Sequence, residues 1–540
     1  MRLPSEGLAY PPPVTPTFAP LRRPVFRMLW VTWITANTCM WMNDVAAAWM
    51  MTSLSASPAM VALVQTASTL PVFLLGLPSG ALADILDRRR WFMATQIWVA
   101  IVGVVLSLVV LAGAMTPALL LALTFANGVG LAMRWPVFAA IVPELVPRDE
   151  LPQALGLNSI AMNASRIIGP VLAGALIAGA GSAYVFALNA ALSMASAIVI
   201  WLWRRDAAPA SVLPGERFVG AMRVGVQYVR QSPRMRAVLA RAFLFFLQAN
   251  ALLALLPLVA QRVHGGGAGA FTLMLASMGA GAIAAALLLP RLRSSATRRE
   301  PLVRAGTVVL ALAMALVALV PNLWVALPAM LIGGMAWITV ANTLTMSAQL
   351  ALPDWVRARG MSIYQMALMG GAASGAALWG QVASWTDVRT SVLLAAGFGV
   401  LAMLLASLRF GIEGSAEEDL TPVHPWQPPQ AHGELDPMAG PVLVTIEYRI
   451  DPARAADFRA VMEESRRARL RLGALSWELL SDVNDPARWV EYFVDESWAE
   501  HLRRFDRFTA GDVALRERRL AFHLGDGGPR VSRFVPGAAG

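Results

Sequence analysis

Twelve blocks of about twenty mostly apolar residues fill the first 410 positions, each closed off by charge, proline or a short polar loop. A block of that length and character crosses a hydrocarbon core as a helix, because a helix satisfies its own backbone polar groups where no water can. The spacing places spans at 26–50, 59–82, 91–114, 117–139, 154–179 and 182–203, then at 236–260, 268–290, 303–321, 324–349, 361–384 and 388–410. With 57% hydrophobic and 14% charged residues, the chain is expected to be an integral membrane protein, all-α in its membrane part.

All 44 basic residues are arginine, which suits a GC-rich bacterial source, and the net charge is +10. In a soluble chain such an excess suggests nucleic acid. Here residues 1–410 carry 28 arginines against 12 acids, residues 411–440 carry six acids and no arginine, and residues 441–540 carry 16 of each. The excess belongs to the membrane part and alternates from loop to loop. Arg22, Arg23, Arg27, Arg88 to Arg90, Arg148, the central loop, Arg291 to Arg304, Arg357 and Arg359 fall on one side, with Arg262 and Arg389 as exceptions. The positive-inside rule then puts both termini in the cytoplasm of a bacterial inner-membrane protein, with the bilayer and not nucleic acid as the partner of the charge.

About thirty polar and basic residues separate the sixth and seventh spans, which divides the body into two six-helix bundles, 24–205 and 236–410. The stretches PELVPRDELPQALGLNS from Pro143 and PDWVRARGMSIYQ from Pro353 occupy equivalent places in the two halves. Within the central loop, 206–235, residues 220–230 suit a short amphipathic helix, either on the inner leaflet or as a solvated linker. Residues 1–23 read as a disordered tail and not a cleavable signal, and 411–440, rich in proline and acid, as a flexible linker. The remaining residues, 441–540, change character. PVLVTIEYRI alternates, 451–473 is helical behind Asp451, SWELLSD and RWVEYFVDE read as strands, 498–523 as one helix, and PRVSRFV as a last strand. The order β, α, β, β, α, β is that of a small α+β, ferredoxin-like domain.

Ionisable groups inside a span are costly and therefore informative. Asp44 alone among the carboxylates sits well inside one, so it is the candidate proton carrier. Asn37, Trp41 and Asp44 share one stripe of the first helix. Counting at 1.5 Å per residue, Asp44 and Arg166 lie at similar depths, roughly 25 and 20 Å from the arginine-rich side, and could pair. Gln65, Asn163, Gln248, Asn250 and Gln365, with Met42, Met361 and Met366, are candidate cavity lining for a bulky amphipathic molecule, or interhelical hydrogen-bonding groups. Arg134 reads as a snorkelling or interhelical arginine.

GALADILDRRR, residues 80–90, resembles the motif that closes the second helix in the major facilitator superfamily, in the form found in the branch that contains the enterobactin exporter. Gly80, Asp84, Asp87, Arg88, Arg89 and Arg90 carry the likeness, with Ile85 where arginine is common. NASRIIGPVLAG resembles that family's antiporter motif through Asn163, Arg166, Gly169, Pro170 and Gly174, while Thr124 stands where a fourth-helix arginine is expected. The resemblance implies a twelve-helix major facilitator fold, alternating access, and a gating latch at 80–90. SWAEHLRRFDRFT resembles the C-terminal extension of the same branch and, more distantly, small monooxygenase-like folds that dimerise through their sheets.

Three classes compete on these residues: a secondary exporter of a small molecule, a membrane-tethered enzyme acting through 441–540, and a non-transporting receptor. The chain has no lysine and hence no Walker motif, which excludes an ordinary ATP-driven pump, and no nucleotide, flavin or metal motif is present, so no cofactor is expected. A twelve-helix body is excessive for an anchor. The expectation is a proton-coupled exporter, not an enzyme, with a possible homodimer through the C-terminal domain.

Overall fold

The computed structural model describes residues 18–147, 150–203, 218–263, 266–292, 299–409, 419–423, 425–429, 435–525 and 527–536. Its first half comprises α1 (Pro24–Leu54), α2 (Pro58–Ile85), α3 (Arg88–Leu111), α4 (Pro117–Leu145), α5 (Leu151–Gly179) and α6 (Ser182–Leu202). A shorter helix, α7 (Phe218–Gln231), leads to α8 (Pro233–Arg262), α9 (Ala268–Leu292), α10 (Arg299–Leu319), α11 (Leu323–Leu350), α12 (Asp354–Trp385) and α13 (Val388–Arg409). Proline opens α1, α2, α4, α5 and α8, where its missing N–H costs nothing. Asp87, Thr116, Ser232 and Asn322 cap α3, α4, α8 and α11 through their side chains.

Ten of these helices, α2 to α6, α8 to α11 and α13, are long and apolar enough to cross a membrane. The other two long ones, α1 and α12, are 31 and 32 residues but more polar: α1 carries four tryptophans, two asparagines and Asp44, and α12 five glycines and two arginines. Large apolar side chains such as Leu108, Leu312, Leu401 and Leu408 are exposed on the body, which suits lipid and not water. Within the first half α1 lies against α5 and α6, and α2 against α4; within the second α8 lies against α12 and α13, and α9 against α11. The halves meet along α2 with α12 and α5 with α9. Small residues permit these approaches: a Cβ on Gly76 would come within 2.8 Å of Met366, and one on Gly279 within 2.6 Å of Ile167.

Residues 18–23 correct the expected disordered tail. Ala19–Arg22 form a 3-10 turn, Pro20 is buried, and Arg23 pairs with Glu150 at 3.0 Å. Residues 1–17 lie outside the described residues.

The C-terminal part contains β1 (Val442–Arg449), α14 (Ala455–Arg471), β2 (Ser476–Ser481), β3 (Arg488–Asp495), α15 (Trp498–Arg503), α16 (Ala510–Leu520) and β4 (Arg530–Phe534). The strands form one antiparallel sheet in the order β2-β3-β1-β4. Alternation explains the buried face: Val442, Val444, Ile446 and Tyr448 of β1 join Trp489 and Phe493 of β3, Phe458 and Met462 of α14. The single helix expected over 498–523 is two. Phe508 is extended, and Thr509 starts α16 with a reciprocal capping box to Asp512, a signal present in the sequence as Thr-Ala-Gly-Asp. Of the expected linker, Val423 bonds to Phe508 and Trp426 stacks edge-on against its ring, so the segment is attached to the domain there. Residues 411–418 lie outside the described residues.

Helix α7 follows neither expected course. Val224, Tyr228 and Val229 are buried. Tyr228 donates to Ala351 at 3.1 Å, Gln227 donates to Ala474 at 2.9 Å, and Arg223 pairs with Glu496 at 2.6 Å. Arg471 and Arg507 of the C-terminal domain stack over Tyr228 and Trp355. The helix is thus sandwiched between the membrane body and the soluble domain, because its apolar stripe finds protein on both sides.

Candidate transport site

Asp87, Arg88 and Arg89 act within the first half. Asp87 accepts from the Arg90 amide at 2.8 Å and starts α3. Arg88 pairs with Glu144 at the end of α4, and Arg89 donates to the Ile200 and Trp201 carbonyls at the C-terminus of α6, where a cation meets the negative end of the helix dipole. Arg90 is exposed. Gly80 and Asp84 belong to α2, but their side-chain surroundings, like those of Ile85 and Asn163, lie outside the described residues.

On α1 the stripe Asn37, Trp41 and Asp44 is present but its members do different things. Asn37 is buried and donates to Trp33 at 2.8 Å, leaving its amide oxygen without a partner. Asp44 is half-buried and accepts from Ser68 of α2 at 2.8 Å. Trp41 is half-buried, and the Arg166 guanidinium of α5 lies over its ring at 5.3 Å. The Asp44–Arg166 pair expected from depth is therefore not formed: Asp44 turns to α2 and Arg166 to the tryptophan about one turn away. Depth along two helices says nothing about the direction in which each side chain leaves its axis.

Helix α5 reaches both α1 and the other half through its small residues. A Cβ on Gly169 would sit 2.5 Å from that of Trp41, Thr38 donates to Ser165 at 3.1 Å, and Gly174 faces Thr272 of α9. Pro170 lies inside the helix between them. Arg166 is thus held at the seam, since its neighbour Ile167 touches Gly279.

The remaining cavity candidates divide. Gln248 is fully buried against Gly399 of α13, and Asn250 donates to the Ala372 carbonyl of α12 at 2.9 Å, so both sit between helices of the second half. Gln65 and Gln365 are half-buried on α2 and α12, whose faces meet at the seam, and Met366 packs there against Gly76. Met42 is buried and Met361 half-buried.

Arg134 matters more than its sequence context suggests. It is only 3% exposed, donates to the Ala36 carbonyl at 3.3 Å, and lies over Trp33, against which Phe138 also stacks at 3.8 Å. Its Nε and Nη2 have no partner. The only signal in the sequence is an arginine within an apolar run.

A second charged centre, which the sequence did not disclose, lies in the C-terminal domain. Glu491 is fully buried and accepts from Arg469, Arg519, Tyr448, Ser465 and Trp477. Burial alone would raise its carboxyl, but Arg469 at 3.0 Å and Arg519 at 3.1 Å hold it down at about 2. Asp495 pairs with Arg504 and with Nδ1 of His501 at 2.8 Å, and Arg533 donates to the other ring nitrogen of His501 at 3.0 Å. Burial lowers the His501 pKa against the pull of Asp495. His501 and His523 both hold protein groups, His523 accepting from the Arg449 amide; His264, His424 and His432 lie outside the described residues.

A family model described as transmembrane secretion effector matches residues 15–539. The chain belongs to that family. Over 200 residues it is 31% identical to the uncharacterized MFS-type transporter YfiS of Bacillus subtilis, covering 36% of this chain and 47% of that one. It is 24% identical over 211 residues to the macrolide efflux protein A of Enterococcus faecalis, 38% of this chain and 65% of that one. With the staphyloferrin A transporter of Staphylococcus aureus it shares 22% over 252 residues, 46% and 63% of the two chains. The matched stretches thus span about half to two thirds of these relatives. A bacterial homolog of the human lysosomal transporter Spinster, inward-facing and occupied, superimposes with a TM-score of 0.58 at 16% identity over 72% of this chain and 98% of that one. A POT family transporter does so with 0.59 at 12% identity, covering 72% and 96%. Those likenesses concern the fold. The protein is a multi-pass membrane protein of the major facilitator type.

Proposed function

We propose that this transporter exports a small amphipathic molecule in exchange for protons, by alternating access between two six-helix halves. The observation that carries the reading is Asp44. It lies inside α1 and its carboxylate takes one hydroxyl hydrogen bond, from Ser68, in a body where ionised carboxylates are expensive. Proton uptake there removes the cost, and α1 borders the α5 and α2 seams along which the halves must rock. Twelve spans follow if α1 and α12 cross with the ten more apolar helices, for each is flanked by other long helices: α1 by α5 and α6, α12 by α8 and α13 of its own half and by α2 across the seam. Export agrees with the family description and with the efflux named for a relative. The arginine-rich loops favour cytoplasmic termini.

The strand order β2-β3-β1-β4 supports a ferredoxin-like reading of the C-terminal domain. Its outer sheet face carries Leu443, Val490, Tyr492 and Val494, with Leu480 and Phe534 exposed at the edges, which suits a second copy of the domain. Residues 80–90 would then set the rigidity of the first half as it rocks.

The test uses full-length protein in vesicles loaded with a pH dye. A macrolide and staphyloferrin A, the cargoes named for two relatives, serve as probes. Asp44→Asn is expected to lower proton-driven flux at least about tenfold while gradient-free exchange persists. Undiminished proton-driven flux in that variant removes Asp44 from the mechanism.

A further inference from the structure

An arginine at membrane depth is normally paired, and this protein pairs them elsewhere. Arg241 of α8, fully buried, meets Glu300 at 3.0 Å and also donates to the Ala237 and Ala406 carbonyls. The first half departs from that pattern twice. Arg134 is enclosed with one long hydrogen bond to Ala36 and two guanidinium nitrogens unpartnered. Arg166 is half-buried with its Nε unpartnered and its plane over Trp41. Among the described residues no carboxylate faces either one, and Asp44, the acid within the same helices, is turned to Ser68.

Both arginines lie against α1, at Trp33 and Trp41, so the interior of this half holds two positive charges with no counter-ion among the described residues. Such an arrangement is unfavourable until an anion arrives, and desolvated guanidinium is the donor best shaped to hold a carboxylate. Arg166 is the accessible one. It stands at the seam, with Gly279 of the opposite half against Ile167 and with an aromatic face beside it.

We propose that Arg166, with Trp41 beside it and Arg134 about two turns nearer the N-terminus of α1, binds an anionic group of the cargo, so that the transported molecule is an organic acid with an aromatic or extended apolar body. The carboxylate completes Arg166, the apolar body lies along Trp41, and Arg134 adds to the positive field without contacting the ligand. This deepens the exporter reading by naming the chemical class of its cargo.

The experiment is equilibrium binding to full-length protein in detergent without any gradient, so its outcome is independent of whether Asp44 carries a proton. The probes are 2-naphthoate and its neutral isostere 2-naphthamide, followed by calorimetry. The wild type is expected to bind naphthoate at least about tenfold tighter than the amide. Arg166→Gln abolishes that preference, and Arg166→Lys, which keeps the charge but loses the planar fork, retains a reduced one; thermal unfolding verifies that each variant is folded. Equal binding of the two probes, binding of neither, or a preference unchanged in Arg166→Gln overturns the proposal.

Discussion

The C-terminal domain and the first membrane half both bury arginines, and they treat them in opposite ways. In the C-terminal domain Arg469 and Arg519 close on Glu491, and Arg504 closes on Asp495 beside His501. In the first membrane half Arg134 and Arg166 have tryptophan faces and a backbone carbonyl in place of carboxylates. A buried charge whose partner is built in contributes to one fixed structure, whereas one lacking a partner holds free energy that a ligand can release. The first arrangement suits a domain that must stay as it is. The second suits a body that must pass between states.

The largest expected effect tests the paired side. Glu491→Gln leaves Arg469 and Arg519 uncompensated in a closed interior, and should destabilise the domain by about 3–5 kcal/mol, read as lost amide-exchange protection over 442–534 in the full-length protein. A small effect would mean that the buried network is dispensable and that the contrast between the regions is false.

Acidification should work on the same group. The folded Glu491 carboxyl, at about 2, lies below its ordinary 4.5, so the unfolded chain binds more protons as pH falls. The contribution is complete above about pH 4.5 and is lost progressively toward pH 2, on the order of 3 kcal/mol in all. His501, whose pKa burial lowers from 6.5, acts in the same sense: its contribution is complete above pH 6.5 and weakens as pH drops. Exchange protection measured between pH 7 and 3 should therefore fall monotonically, and a maximum at acid pH would contradict the assignment.

The unpaired side predicts a separation of stability from function. Arg134→Met should leave thermal stability within about 1 kcal/mol or raise it, since among the described residues no counter-ion is orphaned and the methionine fills apolar space. The same change should weaken cargo binding. A large loss of stability would show instead that Arg134 is a structural strut. The smallest effect belongs to the contact joining the regions. The Arg223–Glu496 pair is partly exposed, and Arg223→Ala should cost less than about 1 kcal/mol in full-length protein, detectable as faster exchange in α7.

The way α7 is placed shows why local reading falls short. Its stripe of Val224, Tyr228 and Val229 announces an amphipathic helix, but an apolar face is equally content against lipid or protein, and the partner that arrives is more than two hundred residues away. Gln248 and Asn250 look alike as polar residues in a span, and both turn out to link helices of one half. By contrast Gly169 and Gly174, which carry the resemblance to the antiporter motif, do sit where helices come close, against Trp41 and Thr272, because a residue without a side chain permits that approach within a span.

Apolar length and arginine spacing by themselves determined that the chain is a helical membrane protein with a mixed domain after it, because these properties act along the chain and need no knowledge of neighbours. Tertiary structure decided which charges meet. Asp44 found Ser68 and left Arg166 to Trp41, Glu491 gathered two arginines from separate helices, and the break at Thr509 let Asp512 cap α16 and pair with Arg471. Electrostatic energy depends on distance and direction in space, and those are set only when the helices have chosen their neighbours.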